Sequence, residues 1–525
     1  MKRYILLPLL VAALTAQAQD TYMNERLTNS SSDVIGTARY VGMGGALGAL
    51  GADISVISWN PAGIGLYRKN DIALTFGGLW GKSSIDNVNR GKGTFDQAGV
   101  VFNMKTGGET CPYVNFSFNY QKKINFNHNF YADNNNLGGL SQMDQVAELA
   151  RFYEGWVDNL AGFAQDNNYV DPVTDDDGNQ IKDNNERGYY YNNVRASSNI
   201  YTHHSEGALH SFDFNLSTNI KDRAFLGMTI GVDAMRYRGW NFYGENLMDG
   251  SESYDLENYD IDISGKGVNF KLGAIFRPVE SSPFRIGLAV ETPTWYWLKN
   301  NTQFLLRDYI IEGEATSQNH LPFNLRTPWK VRTSIGSTVG SSFAWDVDYE
   351  YAAYAGTSMG YPEYENSWNG STSGNIKDKA MNQLTRDNLR GTHTLRIGTE
   401  INATKNLAFR LGYNLSTSAY EKNIGYDLYS LNSAARDYAT STSYMRLGNT
   451  NIITLGMGYH YKKFYVDLAY KVRNQKADFY AFDTSFTNGE TQFVLDNPEM
   501  EGMTIDPVDV DLTRHTITCT LGFKF

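Results

Sequence analysis

The sequence predicts an all-β protein, a 14-stranded antiparallel transmembrane β-barrel with a small N-terminal hatch inside the lumen. Three observations predict this fold. Apolar and polar residues alternate in fourteen segments, the connections between these segments are alternately short and long, and the chain begins like an exported protein. Barrels of the bacterial outer membrane have short periplasmic turns and longer extracellular loops, which accounts for the second observation.

The composition of the 525-residue chain excludes several classes. Aromatic residues make up 14% of the chain, which is incompatible with an unfolded, solvated polypeptide. The formal net charge of −11 gives no general attraction to nucleic acid, so we expect no nucleic-acid partner. The only long apolar run, Ile5–Ala13, is shorter than the roughly 20 residues that a membrane-spanning helix needs.

The N-terminus reads as a secretory signal peptide. Lys2 and Arg3 form a basic start, an apolar core follows, and Ala16-Gln17-Ala18 is a small-x-small cleavage site. We therefore expect residues 1–18 to be removed on export. The chain has two cysteines, Cys111 and Cys519, which is too few for a disulfide framework in an exported protein of this size.

Period-two alternation places the strands. In the last segment, apolar residues occupy alternate positions from Ile517 to Phe525, against threonines, a glycine and a lysine on the other face. The same pattern predicts strands at 71–81, 95–105, 112–123, 208–220, 224–238, 265–277, 283–298, 328–338, 342–355, 392–403, 406–417, 451–461, 463–475 and 512–525.

Connection lengths predict which end of the barrel faces which compartment. The short connections are 106–111, 221–223, 278–282, 339–341, 404–405 and 462. The long ones are 82–94, 124–207, 239–264, 299–327, 356–391, 418–450 and 476–511. We therefore predict a barrel over residues 70–525 in the outer membrane of a Gram-negative bacterium, with both termini in the periplasm and 124–207 as the longest extracellular loop.

Charged residues in mid-strand predict a polar lumen. They share the face opposite the apolar residues, which must face lipid: Arg285, Lys330, Arg332, Asp346, Asp348, Glu350, Arg396, Glu400, Arg410, Asp467 and Lys471. Outer-membrane lipid is thus an expected partner of the apolar face. The terminal Phe525 is similar to the C-terminal aromatic of outer-membrane barrels, which implies recognition by the barrel assembly machinery.

Residues 19–69 are predicted to form the hatch. Their section 24–66 is rich in glycine and alanine and has no strand alternation, so its backbone can pack closely against a barrel wall. Gly45-Ala46, then Asp53, then Asn60-Pro61-Ala62 directly before the first strand resemble the start of the FadL family of outer-membrane hydrophobic-compound transporters.

The resemblance implies a function for the barrel and the hatch. It implies passive uptake of small hydrophobic, fatty-acid-like compounds through a lumen pocket that the hatch gates, with Gly45, Asp53, Asn60, Pro61 and Ala62 as ligand-binding or gating residues. It also implies sideways release through a wall opening at a distorted third strand, 112–123. It implies no enzyme activity and no cofactor. From the residues alone, Asn60-Pro61 can equally be a rigid turn that introduces the first strand.

One segment of the longest loop has helical periodicity. In residues 140–164, apolar residues recur at three- and four-residue steps, among them Met143, Tyr153 and Trp156. These residues either form an outer apolar surface on which a hydrophobic substrate lands, or belong to a helix that caps the barrel mouth.

Two lumen arginines are candidate partners for a substrate carboxylate. Arg410 is expected to pair with Glu400 across a tight turn. Arg396 has no evident partner within its hairpin, so it is the first candidate and Arg410 the second.

Other readings of the sequence remain open. His203, His204 and His210 cluster near an outer loop and make haem capture a candidate, but no complete ligand set is evident and we expect no metal site. An acidic run at 175–186 lacks the glycine that an EF-hand needs at its sixth position. A surface haem-binding or adhesive barrel, or a general diffusion porin, is therefore the alternative to hydrophobic uptake.

Overall fold

A computed structural model describes residues 33–81, 91–150, 160–167, 170, 195–309, 313–366, 371–421, 440–489 and 491–525. The predicted signal peptide lies outside these residues. The strands are β1 Asp71–Gly81, β2 Lys92–Lys105, β3 Tyr113–Asn125, β4 His128–Asn134, β5 Ala196–Ile220, β6 Ala224–Leu247, β7 Glu252–Phe276, β8 Arg285–Glu291, β9 Trp295–Asp308, β10 Gly313–Arg326, β11 Lys330–Val339, β12 Phe343–Ala353, β13 Ser358–Asn366, β14 Ser371–Lys377, β15 Gly391–Asn402, β16 Leu407–Ser416, β17 Tyr444–Tyr461, β18 Phe464–Tyr480, β19 Val508–Asp511 and β20 Arg514–Lys524.

These strands form one closed antiparallel barrel with fourteen positions in its wall. Six positions hold two consecutive strands each: β3 with β4, β8 with β9, β10 with β11, β12 with β13, β14 with β15, and β19 with β20. β1 pairs with β20 from Asp71–Lys524 to Gly81–Arg514, which closes the sheet. The predicted fold class, a 14-stranded antiparallel barrel, is confirmed.

The outward face is apolar at the height of the membrane. On β1, for example, Ile72, Leu74 and Phe76 are 42%, 41% and 47% exposed, whereas the alternate residues are buried. Large apolar side chains exposed in regular alternation are what a lipid-facing surface requires.

Several strands continue beyond the predicted ends. Residues 239–264 were expected to be a loop, but β6 runs to Leu247 and β7 starts at Glu252. Residues 299–327 were also expected to be a loop, but β9 and β10 pair as a hairpin over most of this range. The alternation of apolar and polar residues stops where the outward face leaves lipid, whereas the hydrogen-bonded ladder continues into water.

Short helices lie at the long-loop end and in the hatch. They are α1 Ala38–Gly42, α2 Gln142–Ala150, α3 Leu160–Asp166, α4 Lys379–Asn388 and α5 Gln492–Asp496; two 3-10 turns, Ile54–Ser58 and Pro61–Leu66, complete the hatch. Among the described residues, no helix has both the length and the apolar character needed to cross a membrane.

Two main apolar clusters fill the barrel. One is built around the hatch, with Val41, Leu47, Ile57 and Trp59 among its members. The other lies towards the long-loop end and joins α2 and α3 to inward side chains of the extended strands. The hatch is therefore part of the folded interior.

Candidate functional site

The local structure of the hatch follows from its polar caps. The Thr37 hydroxyl oxygen accepts a hydrogen bond from the N–H of Tyr40 at the start of α1. The Asp53 carboxylate accepts from the N–H of Ser55 at 2.9 Å and from the Thr37 hydroxyl at 2.8 Å. Burial raises the pKa of Asp53, and the charge of the Arg39 guanidinium and the Thr37 hydrogen bond oppose this shift. Asp53 thus connects the first two turns of the hatch.

Asn60-Pro61 begins the second 3-10 turn. The Asn60 side-chain oxygen accepts from the N–H of Ala62 at 3.2 Å, and its amide donates to the carbonyl of Gly48 at 2.8 Å. Pro61 occupies the first turn, where no N–H is needed, and its carbonyl accepts from the Ser217 hydroxyl of β5 at 2.9 Å. The motif is therefore a helical cap that also contacts the barrel wall, and gating by it remains a prediction.

Two wall carboxylates hold the middle of the hatch. The N–H groups of residues 47 and 48 donate to Asp348 at 3.1–3.2 Å. Those of residues 49 and 50 donate to Asp346 at 3.0 and 2.7 Å. Both carboxylates belong to β12 and are fully buried. Four successive backbone donors on two buried aspartate side chains make a close contact between the hatch and one strand.

An arginine of β15 stacks on the hatch. The guanidinium carbon of Arg396 lies 3.6 Å from the centroid of the Trp59 ring, and its Nη1 donates to the Tyr40 hydroxyl at 2.6 Å and to the Gly45 carbonyl at 3.3 Å. Arg332 of β11 lies 4.6 Å from the same ring and pairs with Glu291 and Glu350 at 2.6 Å each. Arg396, predicted as a partner for a substrate carboxylate, thus contacts the hatch; that role remains a prediction.

Arg410 lies below the hatch in an ion-pair network. It pairs with Glu400 at 2.7 Å, as predicted from the turn, and with Asp467 at 2.6 Å. Glu400 also accepts from Arg39 of α1 at 3.0 Å. The role of Arg410 as a partner for a substrate carboxylate remains a prediction.

Glycines in the wall give the hatch its space. A Cβ on Gly412 of β16 would lie 2.1 Å from the backbone nitrogen of Gly44. A Cβ on Gly273 of β7 would lie 2.1 Å from the Asn60 side-chain oxygen. Other wall glycines in contact with the hatch are Gly227, Gly287, Gly398 and Gly456. The sequence does not identify these glycines, because a strand glycine does not reveal what approaches it.

Two other predicted hatch residues lie in tight surroundings. Gly45 has φ +79°, a conformation that favours glycine, and a Cβ there would lie 2.8 Å from the Arg396 Nη1. Ala62 is fully buried against Phe225 and Ile275 of the wall.

A polar cavity of about 670 Å³ lies between the hatch and the short-turn end. Its lining is mainly polar and charged and includes Arg39, Glu400, Arg410, His460 and Asp467. Water and ions can occupy this cavity, whereas an apolar molecule would gain little from it.

An aromatic cluster lies at the other side of the hatch, near the long-loop end. The Tyr201 ring centroid is 4.5 Å from that of Phe479, and Phe130 lies 5.4 Å from Phe479 and 5.8 Å from Tyr201. The cavity beside these rings holds only about 20 Å³. An apolar ligand could therefore bind here only if the rings moved apart.

The lumen changes from apolar to charged along single strands. The inward residues of β6 are Tyr243, Tyr237 and Met235 towards the long loops, and then Asp233. Asp233 pairs with Lys123 at 3.0 Å, and below it Lys271 pairs with Asp213 at 2.8 Å. Along β3, β5, β6 and β7, an ion-paired layer thus lies between the outer aromatic side chains and the hatch.

The predicted helix of the long loop is present in part. Met143 of α2 is buried in the outer cluster, which agrees with a helix that caps the barrel mouth. Tyr153 and Trp156 lie outside the described residues, so an outer apolar landing surface remains a prediction. The acidic run at 175–186 also lies outside the described residues.

The three histidines do not converge. His203 is buried and contacts Asn241 through Nδ1 at 2.6 Å, whereas His204 faces outward. His210 contacts the Tyr120 hydroxyl through Nδ1 at 2.8 Å. Within the described part of the chain, no group of three histidine, cysteine or acidic side chains is arranged to hold a metal ion.

The ladder between β2 and β3 ends early. The two strands pair from Lys105–Tyr113 to Gln97–Gln121, and among the described residues no pair extends beyond this point. β3 also has a bulge between Lys122 and Ile124 in its pairing with β5. Across the gap, Lys122 Nζ lies 3.5 Å from the Asp96 carboxylate. The wall is therefore held here by side chains.

Solved structures share this fold over nearly the whole chain. A deletion variant of the monoaromatic hydrocarbon channel TodX aligns with a TM-score of 0.52 at 9% identity, covering 94% of this chain and 100% of that chain. The P. putida toluene transporter TodX gives 0.49 at 9% identity, with 94% and 99% covered. A Pseudomonas aeruginosa FadL homologue gives 0.48 at 12% identity, with 94% and 98% covered. No protein-family model and no curated protein sequence matches the chain. The alignment with the TodX variant agrees with the predicted architecture of the barrel.

Proposed function

We propose that this protein is an outer-membrane channel for passive uptake of small hydrophobic compounds and that its hatch closes the lumen. The observation that carries the proposal is the position of the hatch, between an aromatic cluster on one side and a polar cavity on the other. The names of the solved structures with this fold, a hydrocarbon channel, a toluene transporter and a FadL homologue, support the substrate class.

The orientation is part of this proposal. The short turns and both termini lie in the periplasm, so the aromatic cluster faces the outside. Phe525 pairs through its backbone with Asn70 beside the first strand, and its ring is 46% exposed. A terminal aromatic ring in this position is available to the barrel assembly machinery.

The route of a hydrophobic molecule follows from the polarity of the lumen. An apolar molecule gains free energy in the aromatic cluster but not in the ion-paired layer beneath it, where burial would separate charges from their partners. The gap between β2 and β3 offers an alternative, because only the Asp96–Lys122 contact and its neighbours close it. We therefore infer that the molecule leaves sideways through this gap into the membrane.

A direct experiment tests the substrate class. The barrel is extracted in mild detergent and analysed by native mass spectrometry, and cells with and without it are assayed for uptake of a labelled fatty acid and of toluene. A bound acyl chain or aromatic hydrocarbon together with barrel-dependent uptake is expected. Recovery of haem alone, without uptake, would favour surface haem capture. A steady large conductance in planar bilayers would favour a diffusion porin.

A further inference from the structure

The outward face of four neighbouring strands carries cations directly above the apolar band. On β6 the outward residues are apolar from Leu226 to Val232, and Ala234 precedes the first charged residue, Arg236. From Leu226 to Ala234 the strand advances about 27 Å, which is about 20 Å of height at a tilt of ~40°. This is close to the ~25 Å of an outer-membrane apolar band, so Arg236 lies at its outer boundary.

The next three strands repeat this arrangement. The first charged outward residue above the apolar positions is Lys266 on β7, Lys299 on β9 and Arg326 on β10, and all three are exposed. β6 pairs with β7, β7 with β9 and β9 with β10, so these cations occupy consecutive strands, and the strands are about 4.8 Å apart. They are staggered along the strands, because Arg236 pairs with Ser264, Lys266 with Trp297 and Arg326 with Trp295.

Most of this positive charge has no carboxylate partner. Arg236 pairs with Asp262 at 2.8 Å. Within the described part of the chain, no ion pair includes Lys266, Lys299 or Arg326. The chain as a whole has a net charge of −11, so this concentration of unpaired cations opposes its overall charge.

Two tryptophans mark the same boundary. Trp295 and Trp297 of β9 point outward directly below Lys299 and are 38% and 50% exposed. Exposed tryptophans gather at the headgroup level of membranes, where an apolar ring with a polar edge is best solvated. Lys299 lies above them, whereas Lys266 pairs with Trp297 and Arg326 with Trp295. These cations therefore lie at the level of the tryptophans or just above it, where lipid headgroups carry phosphate.

We propose that Arg236, Lys266, Lys299 and Arg326 form a binding site for the phosphate groups of a glycolipid in the outer leaflet. Lysine and arginine donate charge-assisted hydrogen bonds to phosphate oxygens, and the tryptophans contact the upper part of the acyl chains. The proposal uses the orientation given above and is independent of what the lumen transports.

The test is lipid binding to the purified full-length barrel. Native mass spectrometry counts bound lipid A and lipid A freed of phosphate, for the natural chain and for Lys266→Gln/Lys299→Gln/Arg326→Gln. We expect the natural chain to prefer the phosphorylated lipid, and the triple variant to bind it at least about tenfold more weakly. The matched control is Lys476→Gln, an exposed outward lysine of β18 that pairs with Asp509 at 3.7 Å.

Further measurements check whether each variant folds and whether the bound phosphate belongs to a lipid. Heat-modifiable gel mobility reports whether each variant forms a barrel, and Lys266→Arg/Lys299→Arg, which keeps both charges, should bind like the natural chain. Equal binding of both lipids, or an unchanged triple variant, would overturn the proposal. Full displacement of the lipid by inorganic phosphate would overturn the lipid as the source of the phosphate. Because the readout is not uptake, this result is independent of the proposed transport.

Discussion

The guanidinium of Arg396 stacks on the Trp59 ring, with its central carbon 3.6 Å from the ring centroid. Arg396 belongs to β15 and Trp59 to the hatch, so this contact joins two parts of the chain that are far apart in sequence. Together with the Tyr40 hydroxyl and the two carboxylates of β12, it holds the hatch in the lumen.

Replacing Arg396 should loosen the hatch. We expect Arg396→Leu to lose the ring contact and the hydrogen bond to Tyr40, together worth about 2 kcal/mol. Arg396→Lys keeps the charge but loses the planar stack, so its effect should be intermediate. Protease protection and hydrogen exchange of residues 33–69 measure the change. Unchanged protection in Arg396→Leu would mean that the contact does not hold the hatch.

A methyl group on the wall should displace the hatch. In Gly412→Ala the new Cβ would lie 2.1 Å from the Gly44 nitrogen, which the hatch can avoid only by moving. We expect a cost of about 1–3 kcal/mol and faster hydrogen exchange in the hatch. Gly78→Ala is the matched control, because Gly78 of β1 has nothing within 4 Å of its Cβ position. Equal effects of the two variants would contradict close packing of the hatch.

A change at the gap between β2 and β3 should alter hydrocarbon uptake without altering ionic conductance. Asp96→Asn/Lys122→Gln removes the ion pair that crosses the gap and should raise hydrocarbon uptake, because the wall opens more easily. Ionic conductance should stay unchanged, since the hatch is untouched. Arg307→Gln, which removes the exposed pair with Glu314 between β9 and β10, is the control. A parallel rise in conductance would instead indicate a route through the lumen.

The outer cluster should respond to pH through Glu245, which lies in the part of β6 beyond the apolar band. Burial raises the pKa of Glu245 to about 7, against hydrogen bonds from Tyr243, Ser141 and the N–H of Gln142. A buried carboxyl with a raised pKa favours the docked state when protonated, so docking of α2 should weaken as pH rises from about 4.5 to about 7. Protease resistance of α2 measures this, and Glu245→Gln should remove the dependence. A resistance that rises with pH would contradict it.

Much of the fold could be predicted from the sequence because lipid selects side chains directly. Apolar residues at alternate positions, such as Ile72, Leu74 and Phe76, identify the outward face of a strand. The Arg410–Glu400 ion pair could be predicted because a tight turn places the two residues opposite each other on neighbouring strands. The extended ends of β6 and β7 could not be predicted in this way, because both faces of a sheet in water can be polar.

The contacts between the hatch and the barrel wall could not be predicted from the sequence, for a different reason. Asp346 and Asp348 were recognised as lumen charges, but their partners are backbone N–H groups of residues 47–50, about three hundred residues away. A backbone donor has no sequence signature. The wall glycines were missed in the same way, because only the approach of the hatch gives them a role.

Single-channel conductance in planar bilayers tests whether the hatch closes the lumen. The natural chain should be almost closed, whereas Asp346→Leu/Asp348→Leu should open in large steps, because it leaves four buried N–H groups of the hatch without an acceptor, at about 1–3 kcal/mol each. Removing residues 24–66 should give steady conductance, and Asp509→Leu, at an exposed pair, should remain closed. Steady large conductance of the natural chain, equal to that of the variant without residues 24–66, would contradict the account.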